Sequence, residues 1–285
     1  MESLLTVERR LLLSCPDRPG IVAVVSGLLA DCAANITSLD EHAEPANGRF
    51  AMRVAYTLPS ARAQEAQSRI EAQLDGEDIQ LSFSDPATLP RVAVLCSSEN
   101  HCLTDLLWRF ASDELRGSLV CVISTSDEHR TGVAAAGVHY HHLPVASRDE
   151  MFAHEEQLLE LLVGKVDLVI LARYMRILSE QFLDAVSCPA INIHHGFLPA
   201  FKGGRPYEQA HERGVKLIGA TAHYVTAELD EGPIIEQDVV RVSHRDSSDD
   251  LRRVGRDVER VVLARAVRAH LEDRVVRWDK RALVF

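Results

Sequence analysis

Asn192 and His194 stand two residues apart in the run INIHHGFLP, residues 191–199. In an extended strand, residues i and i+2 share a face, so the amide and the imidazole point the same way and Ile193 points the other. An amide is a neutral hydrogen-bond donor, and an imidazole can hold or move a proton near neutral pH. Gly196 and Pro199 turn the chain out of the sheet, which puts the pair at a strand's carboxyl end, where open α/β sheets bind ligands. A second polar stretch, LDEGP at 229–233, has the chemistry of a tight turn capped by Asp230. Either motif alone is explained by ordinary structure, a hydrogen-bonded strand end or a reverse turn. Together they offer an amide, an imidazole and a carboxylate to one reaction centre.

Other residues bear on what that centre is not. HYHH at 139–142 alternates imidazoles, and such a run reads as a half-exposed strand sooner than as a chelate. His194 and His195 are adjacent, and adjacent strand residues face opposite ways. With no cluster of Cys or carboxylate to complete either set, no metal is expected. The stretch SSENHCLTDLL at 97–107 follows a strand, where a phosphate loop would sit, and has no glycine. A phosphate cradle needs glycines so that backbone amides can approach the anion.

These residues need elements to hold them. RVAVLC (91–96), SLVCVIS (118–124) and VDLVILA (166–172) are apolar on both faces and separated by helix-like stretches, as in a parallel sheet covered on both sides. IGATAHYVTAE and PIIEQDVVRV are longer and more polar, which predicts an antiparallel extension from about 217. A helix over about 247–272 follows, then a short strand pair. Ahead of this region the pattern is different. RRLLLSC (9–15) reads as a strand, PDRPG as a turn, GIVAVVSGLLADCA (20–33) as a helix, and ITSLDEHAE and RFAMRVAYTL as two strands. ARAQEAQSRIEAQL (61–74) is a second helix, and IQLSFS (79–84) a last strand. That order is βαββαβ, the ferredoxin-like arrangement. The expected organisation is α/β with two domains: 1–84, a Pro-containing linker DPATLP at 85–90, and 91–285.

Bulk properties narrow the function. The 285 residues are ample for two domains, and 46% apolar with 26% charged residues is a globular composition. A net charge of −11 argues against nucleic-acid partners, whose phosphates call for a basic face. The six cysteines form no C-x-x-C pair and sit mostly in apolar runs, which fits a reducing compartment. MESLLTVERR lacks the pattern of a signal peptide, and no apolar run reaches the ~20 residues of a membrane helix. The expectation is a soluble cytoplasmic protein without membrane partners.

The stretch INIHHGFLPAFKGGRPYEQAHERGVKLIGATAHYVTAELDEGPIIEQDV resembles the core of the folate-dependent formyltransferases, with N-I-H, then L-P, then Thr221, His223, Val225, Asp230, Gly232 and Pro233 at the family's spacing. The double histidine, RPY, GATAHYV and LDEGPII narrow the resemblance to the formyltetrahydrofolate deformylases. CPDRPGIVA and the βαββαβ order resemble an ACT domain, so the likeness covers nearly the whole chain. It implies a Rossmann-like formyltransferase domain behind a regulatory ACT domain. The chain departs from the family at Gly196, usually Ser, and Gly204, usually Ala; both leave the catalytic groups in place and loosen the loop at 196–204.

The resemblance implies hydrolysis of 10-formyltetrahydrofolate to formate and tetrahydrofolate, feeding one-carbon metabolism and purine synthesis, with no cofactor. Asn192 would donate to the oxyanion of a tetrahedral intermediate, and His194 would donate as imidazolium or pass a proton to the departing nitrogen. Asp230 would favour charged His194, hold its ring, and orient the water. The pterin would lie against Arg173, Tyr174, Met175, Ile177 and Leu178, recognised through the loop's backbone, with Gly232 and Pro233 also at the substrate. For the ACT domain, the resemblance implies pairing into a homo-oligomer and an amino-acid effector at Asp17, Gly20 and Ile21. Two other readings stay open. One is a transferase to an amine acceptor, disfavoured by the glycine-free 97–107 stretch. The other is a folate-binding amino-acid sensor, disfavoured by the intact Asn192, His194 and Asp230.

Overall fold

The computed structural model describes residues 5–76, 78–147, 149–199, 206–278 and 280–285. Gly204 and most of the loop that follows Pro199 lie outside the described residues. The chain divides into two compact units: 1–88 with 272–276 and 283–285, and 89–271 with 277–282.

The first unit runs β1 (Thr6–Pro16), α1 (Ile21–Asp31), β2 (Asn35–Glu44), β3 (Arg49–Pro59), α2 (Ala63–Gln73) and β4 (Gln80–Ser84). Its sheet is ordered β2-β3-β1-β4, and each neighbouring pair is antiparallel, as the ferredoxin-like order requires. Leu11 and Leu13 of β1, Val25 and Leu29 of α1, Tyr56 of β3 and Ile70 of α2 are buried in one core. The helices bury one stripe each, Ile21, Val25 and Leu29 at i, i+4 and i+8 in α1. Gly20 enters α1 with φ 94, a left-handed conformation that suits glycine, and nothing lies within 4 Å of where a Cβ would stand. The sequence reading gives all of 91–285 to the second domain, whereas 272–276 and 283–285 group with this unit. Asp273 shows the cause: its carboxylate accepts from Ser84 (2.6 Å) and Arg10 (3.3 Å), while Arg53 donates to the carbonyls of Glu272 and Asp273.

The second unit contains β5 (Arg91–Cys96), α3 (His101–Ala111), β6 (Ser118–Ser124), α4 (Arg130–Ala135), β7 (His139–His142), α5 (Met151–Leu162), β8 (Leu168–Ala172), α6 (Glu180–Val186), β9 (Ala190–His194), α7 (Pro206–Glu212), β10 (Leu217–Tyr224), β11 (Ile234–Arg241) and α8 (Ser248–Leu271). Strands Val275–Trp278 and Arg281–Val284 pair at the end of the chain. The seven-stranded sheet is ordered β11-β10-β9-β8-β5-β6-β7. It is parallel from β7 to β9 and antiparallel at β10 and β11. The parallel core strands are buried along almost their whole length, which explains their unbroken apolar sequences. HYHH forms the half-exposed edge strand β7.

The chain reverses direction across the sheet between β5 and β8, a topological switch point. Ser97 follows β5, Arg173 follows β8, and His194 ends β9, so the carboxyl ends of three neighbouring strands converge. Among the described residues, no helix is long and apolar enough to cross a membrane. All six cysteines are unpaired, and all but Cys188 are buried.

Candidate active site

The β9–β10 register builds the centre of the site. Antiparallel pairing sets His223 opposite Asn192 and Thr221 opposite His194. Cross-strand partners stand about 4.5–5.5 Å apart at Cβ, close enough for polar side chains to meet. Asn192 Nδ2–H donates to His223 Nε2 at 3.2 Å. The other ring nitrogen, Nδ1, donates to the Tyr224 carbonyl at 2.8 Å, and this fixes the ring. His223 belongs to the motif legible in the sequence, but its place in the site follows only from the pairing of the two strands.

The turn after β10 brings in Asp230, whose φ of 57 is a left-handed conformation that aspartate tolerates. Its Oδ2 lies 3.2 Å from His194 Nδ1 and its Oδ1 lies 3.6 Å from His223 Nε2. Burial raises the carboxyl's affinity for a proton. The hydrogen bond and charge of His194, the nearer ring, outweigh that and hold Asp230 well below the usual carboxylate range. His194 therefore has Nδ1 on a carboxylate, while its Nε2 is buried with no hydrogen-bond partner among the described residues.

His195 needs a correction. β9 ends at His194, so the opposite-faces rule does not extend to the next residue, and the two rings lie 5.3 Å apart. Burial and the charge of Arg173 push His195 down to about 3, so it is neutral at physiological pH. Of the two histidines, only His194 has the carboxylate needed to support an imidazolium.

These groups open on a cavity of about 230 Å³. Asn192, His194 and Asp230 line it together with Arg173, Tyr174, Met175, Ile177 and Leu178, so the structure gathers the expected loop and the expected polar trio on one space. The loop residues differ in character. Tyr174 and Leu178 are buried in the core of the unit, whereas Met175 and Ile177 are half exposed. Met175 N–H donates to Ser97 Oγ at 3.1 Å, and Arg176 N–H donates to the Tyr174 carbonyl at 2.9 Å, so these two amides hold the loop itself. The Tyr174 hydroxyl is hydrogen-bonded to His154, and Arg176 Nη2 donates to the Val145 carbonyl. The glycine-free segment after β5 thus has a use in Ser97, a side chain that braces the neighbouring loop.

Gly232 and Pro233 do not line the cavity. A Cβ on Gly232 would stand 1.8 Å from the Tyr224 carbonyl oxygen, and Tyr224 N–H donates to the Pro233 carbonyl at 2.9 Å. Both residues close the turn that carries Asp230. Thr221, fully buried, does the same for the chain after His194. Its hydroxyl donates to the Gly196 carbonyl (2.9 Å) and accepts from Leu198 N–H (3.0 Å) and Gln237 Nε2 (2.9 Å), the full capacity of a hydroxyl.

In the first unit, Asp17 is exposed, and its N–H donates to the Gly48 carbonyl at 2.7 Å. Ile21 is buried in the core, so its side chain packs and only its backbone is left to meet an effector.

The sequence shows no cluster of Cys or carboxylate that completes a metal site at the histidine runs. The structure brings together His101, Cys102 and Glu259, ligand atoms within 4.8 Å of one another, away from both runs. The chemistry of that group does not suit a cation. Burial and then Glu259 push the Cys102 thiol up, which keeps it protonated, and Arg173 Nε already lies 3.5 Å from Glu259.

Comparison with known proteins agrees with this geometry. The formyl transferase family matches residues 90–267. A formyltetrahydrofolate deformylase of Mycobacterium tuberculosis is 53% identical over 280 residues, 97% of this chain and 90% of the relative. The crystal structure of a formyltetrahydrofolate deformylase from Pseudomonas syringae pv. tomato superposes with a TM-score of 0.91 at 46% identity, covering 100% of this chain and 96% of that one. A glycinamide ribonucleotide transformylase from Symbiobacterium toebii is similar over 72% of this chain and 98% of its own, with a TM-score of 0.65 and 35% identity. With a site at the switch point of a formyl transferase fold and relatives that match from end to end, the chain belongs to the formyltetrahydrofolate deformylase family.

Proposed function

We propose that this protein hydrolyses 10-formyltetrahydrofolate to formate and tetrahydrofolate at the cavity lined by Asn192, His194 and Asp230. The observation that carries the reading is His194, which lines the cavity: one ring nitrogen is on a carboxylate and the other is buried with no hydrogen-bond partner among the described residues. The formyl carbon would lie between Asn192 and His194. A water oxygen forms a bond to that carbon, and the carbonyl oxygen gains charge. Asn192 gives one amide N–H to His223 and has a second for this oxygen. His194 Nε2 takes the proton that the attacking water loses, so charge develops on the ring, and as the C–N bond breaks Nε2–H passes that proton to the leaving nitrogen. Asp230, strongly acidic and with one oxygen toward each histidine, is a poor base. Its role in this reading is to hold His194 in place and favour its charged form.

The pterin would lie against Arg173, Tyr174, Met175, Ile177 and Leu178. A larger open groove of about 990 Å³ shares Met175, Ile177 and Leu178 with the cavity and adds Phe152, an apolar surface suited to the aryl part of the substrate. The chemistry requires no metal or cofactor, and the reduced cysteines fit a cytoplasmic enzyme. The first unit would act as an ACT-like regulatory domain, with an amino acid binding near Asp17 and Gly20 in a homo-oligomer. Calorimetry against a panel of amino acids tests this last point, and uniform silence removes it. The central test is an assay with 10-formyltetrahydrofolate and no added acceptor, with formate measured in parallel. Stoichiometric formate and tetrahydrofolate, lost in His194→Ala, is the expected result. Turnover that begins only when an amine is supplied would make the protein a transferase.

A further inference from the structure

Two polar side chains that the proposed chemistry does not use, His154 and Glu155, are buried next to each other on α5. We propose that they are positioning residues for folate recognition: they fix the two ends of the loop 173–179 against α5 and so set the wall on which the folate is held. The inference rests on the hydrolytic reading above, but one of its tests needs no turnover.

α5 buries His154, Leu158 and Leu162 at i, i+4 and i+8, the stripe that an amphipathic helix turns to its core. His154 takes an apolar place on that stripe and is 4% exposed; Glu155 stands beside it and is 8% exposed. A buried imidazole and a buried carboxylate persist only where partners offset their desolvation. Both find them in one loop. His154 Nε2 is hydrogen-bonded to the Tyr174 hydroxyl. Glu155 Oε1 accepts from Ser179 N–H at 2.7 Å, and Oε2 accepts from the Ser179 hydroxyl at 2.6 Å. The same hydroxyl oxygen accepts from Phe182 N–H at 3.1 Å, so Glu155 also aims the cap of α6. Burial, and then the charge of Arg176, hold His154 below its ordinary range, so the ring is neutral at physiological pH. Burial pushes the Tyr174 hydroxyl up, so it keeps its proton.

The loop depends on such contacts. Between Arg173 and Leu178 the backbone makes one hydrogen bond to itself among the described residues, from Arg176 N–H to the Tyr174 carbonyl. Arg173 enters with φ 62, a left-handed conformation that such a residue keeps only where its surroundings hold it. Ser97 and the Val145 carbonyl hold the middle of the loop, and α5 holds its ends. Met151, Phe152 and Leu159 of α5 line the groove of about 990 Å³ together with Met175, Ile177 and Leu178 of the loop. Glu155 and Ser179 line it too. The same three loop residues line the reaction cavity, so the loop is a wall common to both spaces. Asn192 is held by His223 and His194 by Asp230, contacts that do not involve this loop. A shift of the loop away from α5 therefore changes the surface offered to the folate and leaves the reacting groups in place.

The experiment measures tetrahydrofolate binding by calorimetry and initial-rate formate release, both on the full-length protein. In Glu155→Gln, one carboxylate oxygen becomes an NH₂ that cannot accept from Ser179. Kd for tetrahydrofolate and KM for 10-formyltetrahydrofolate should each rise about 10-fold, equivalent to about 1.4 kcal/mol, with kcat within about threefold of wild type. His154→Leu should raise both by a similar factor. His154→Gln, whose neutral amide can meet the Tyr174 hydroxyl, should recover most of that loss. Glu155→Gln combined with Ser179→Ala should lose less than the two single losses together, because both break one contact. Variants with lowered thermal stability but unchanged Kd and KM would make the pair a packing element only and overturn the proposal, and so would a loss confined to kcat. If Glu155→Gln does not fold, the two His154 variants decide the matter by the same criteria. Wild type that binds tetrahydrofolate but releases no formate would overturn the hydrolytic reading and leave the positioning role to the Kd values. Wild type that does neither would overturn both.

Discussion

Replacing Asp230 by Asn tests the central pairing, because it keeps the size and a hydrogen-bonding oxygen but removes the charge. Asp230 Oδ2 is 3.2 Å from His194 Nδ1. At an effective dielectric of about 20, a unit charge on the ring at that distance interacts with the carboxylate by about 5 kcal/mol. Only the part that grows between ground state and transition state affects turnover. If roughly half of the charge develops on the ring during proton transfer, the loss is about 2–3 kcal/mol, or about 10² in kcat. Asp230→Ala also frees the ring to rotate and should lose about tenfold more. The assay is initial-rate formate release at saturating 10-formyltetrahydrofolate, with thermal unfolding run beside it to confirm folding. KM should stay within a few-fold, since Asp230 acts on His194 and not on the pterin. Asp230→Asn turnover within threefold of wild type would refute the pairing argument, and so would a loss confined to KM.

The remaining predictions use the same structure. Because Asp230 is held well below its ordinary range, its contribution to stability is complete above about pH 4 and is lost as pH falls toward the folded value. Acid unfolding should therefore show wild type losing stability relative to Asp230→Asn as pH falls below about 4, and a difference that stays constant there would contradict this. Thr221→Val keeps the shape but leaves Leu198 N–H and the Gly196 carbonyl without their partner, so chemical denaturation should show a loss of about 2–4 kcal/mol. Gly232→Ala forces the Asp230 turn away from the Tyr224 carbonyl, and a displacement of about 1 Å at the reacting groups should lower kcat about 10²-fold. Ser97→Ala removes the acceptor of Met175 N–H and loosens the loop; KM should rise about 2–10-fold with kcat nearly unchanged, and a pure kcat loss would show that Ser97 does something else.

The parts of this molecule legible in the sequence are those set by local periodicity. RVAVLC and SLVCVIS are strands at their predicted bounds because a buried parallel strand is apolar on both faces. Asn192 and His194 share a face because a strand repeats every two residues. The features that escaped depend on register or on distant packing. His195 looked opposed to His194 because the two are adjacent, but the strand ends between them, and a strand end is less well marked in sequence than the strand itself. His223 is plain in the motif, yet its contact with Asn192 exists only once β9 and β10 pair at one register. Asp273 looks like a turn residue, and nothing local announces that Arg10 and Ser84 hold it from more than 180 positions away.

Glu259 is the deepest of these cases. In DVERVVLARAV it reads as one more charge on an amphipathic helix, where most such charges face water. Its burial follows from a notch at Gly255, a hydroxyl from Tyr207, an imidazole from His101 and a guanidinium from Arg173, four residues from four separate stretches of chain. A buried carboxylate persists only when partners offset its desolvation, so such a group requires each of those elements to be in place. The residues that touch the formyl group lie on β9 and in one turn and can be found by motif. The partners that hold Glu259 are dispersed through the fold, and only the assembled structure brings them to its charge.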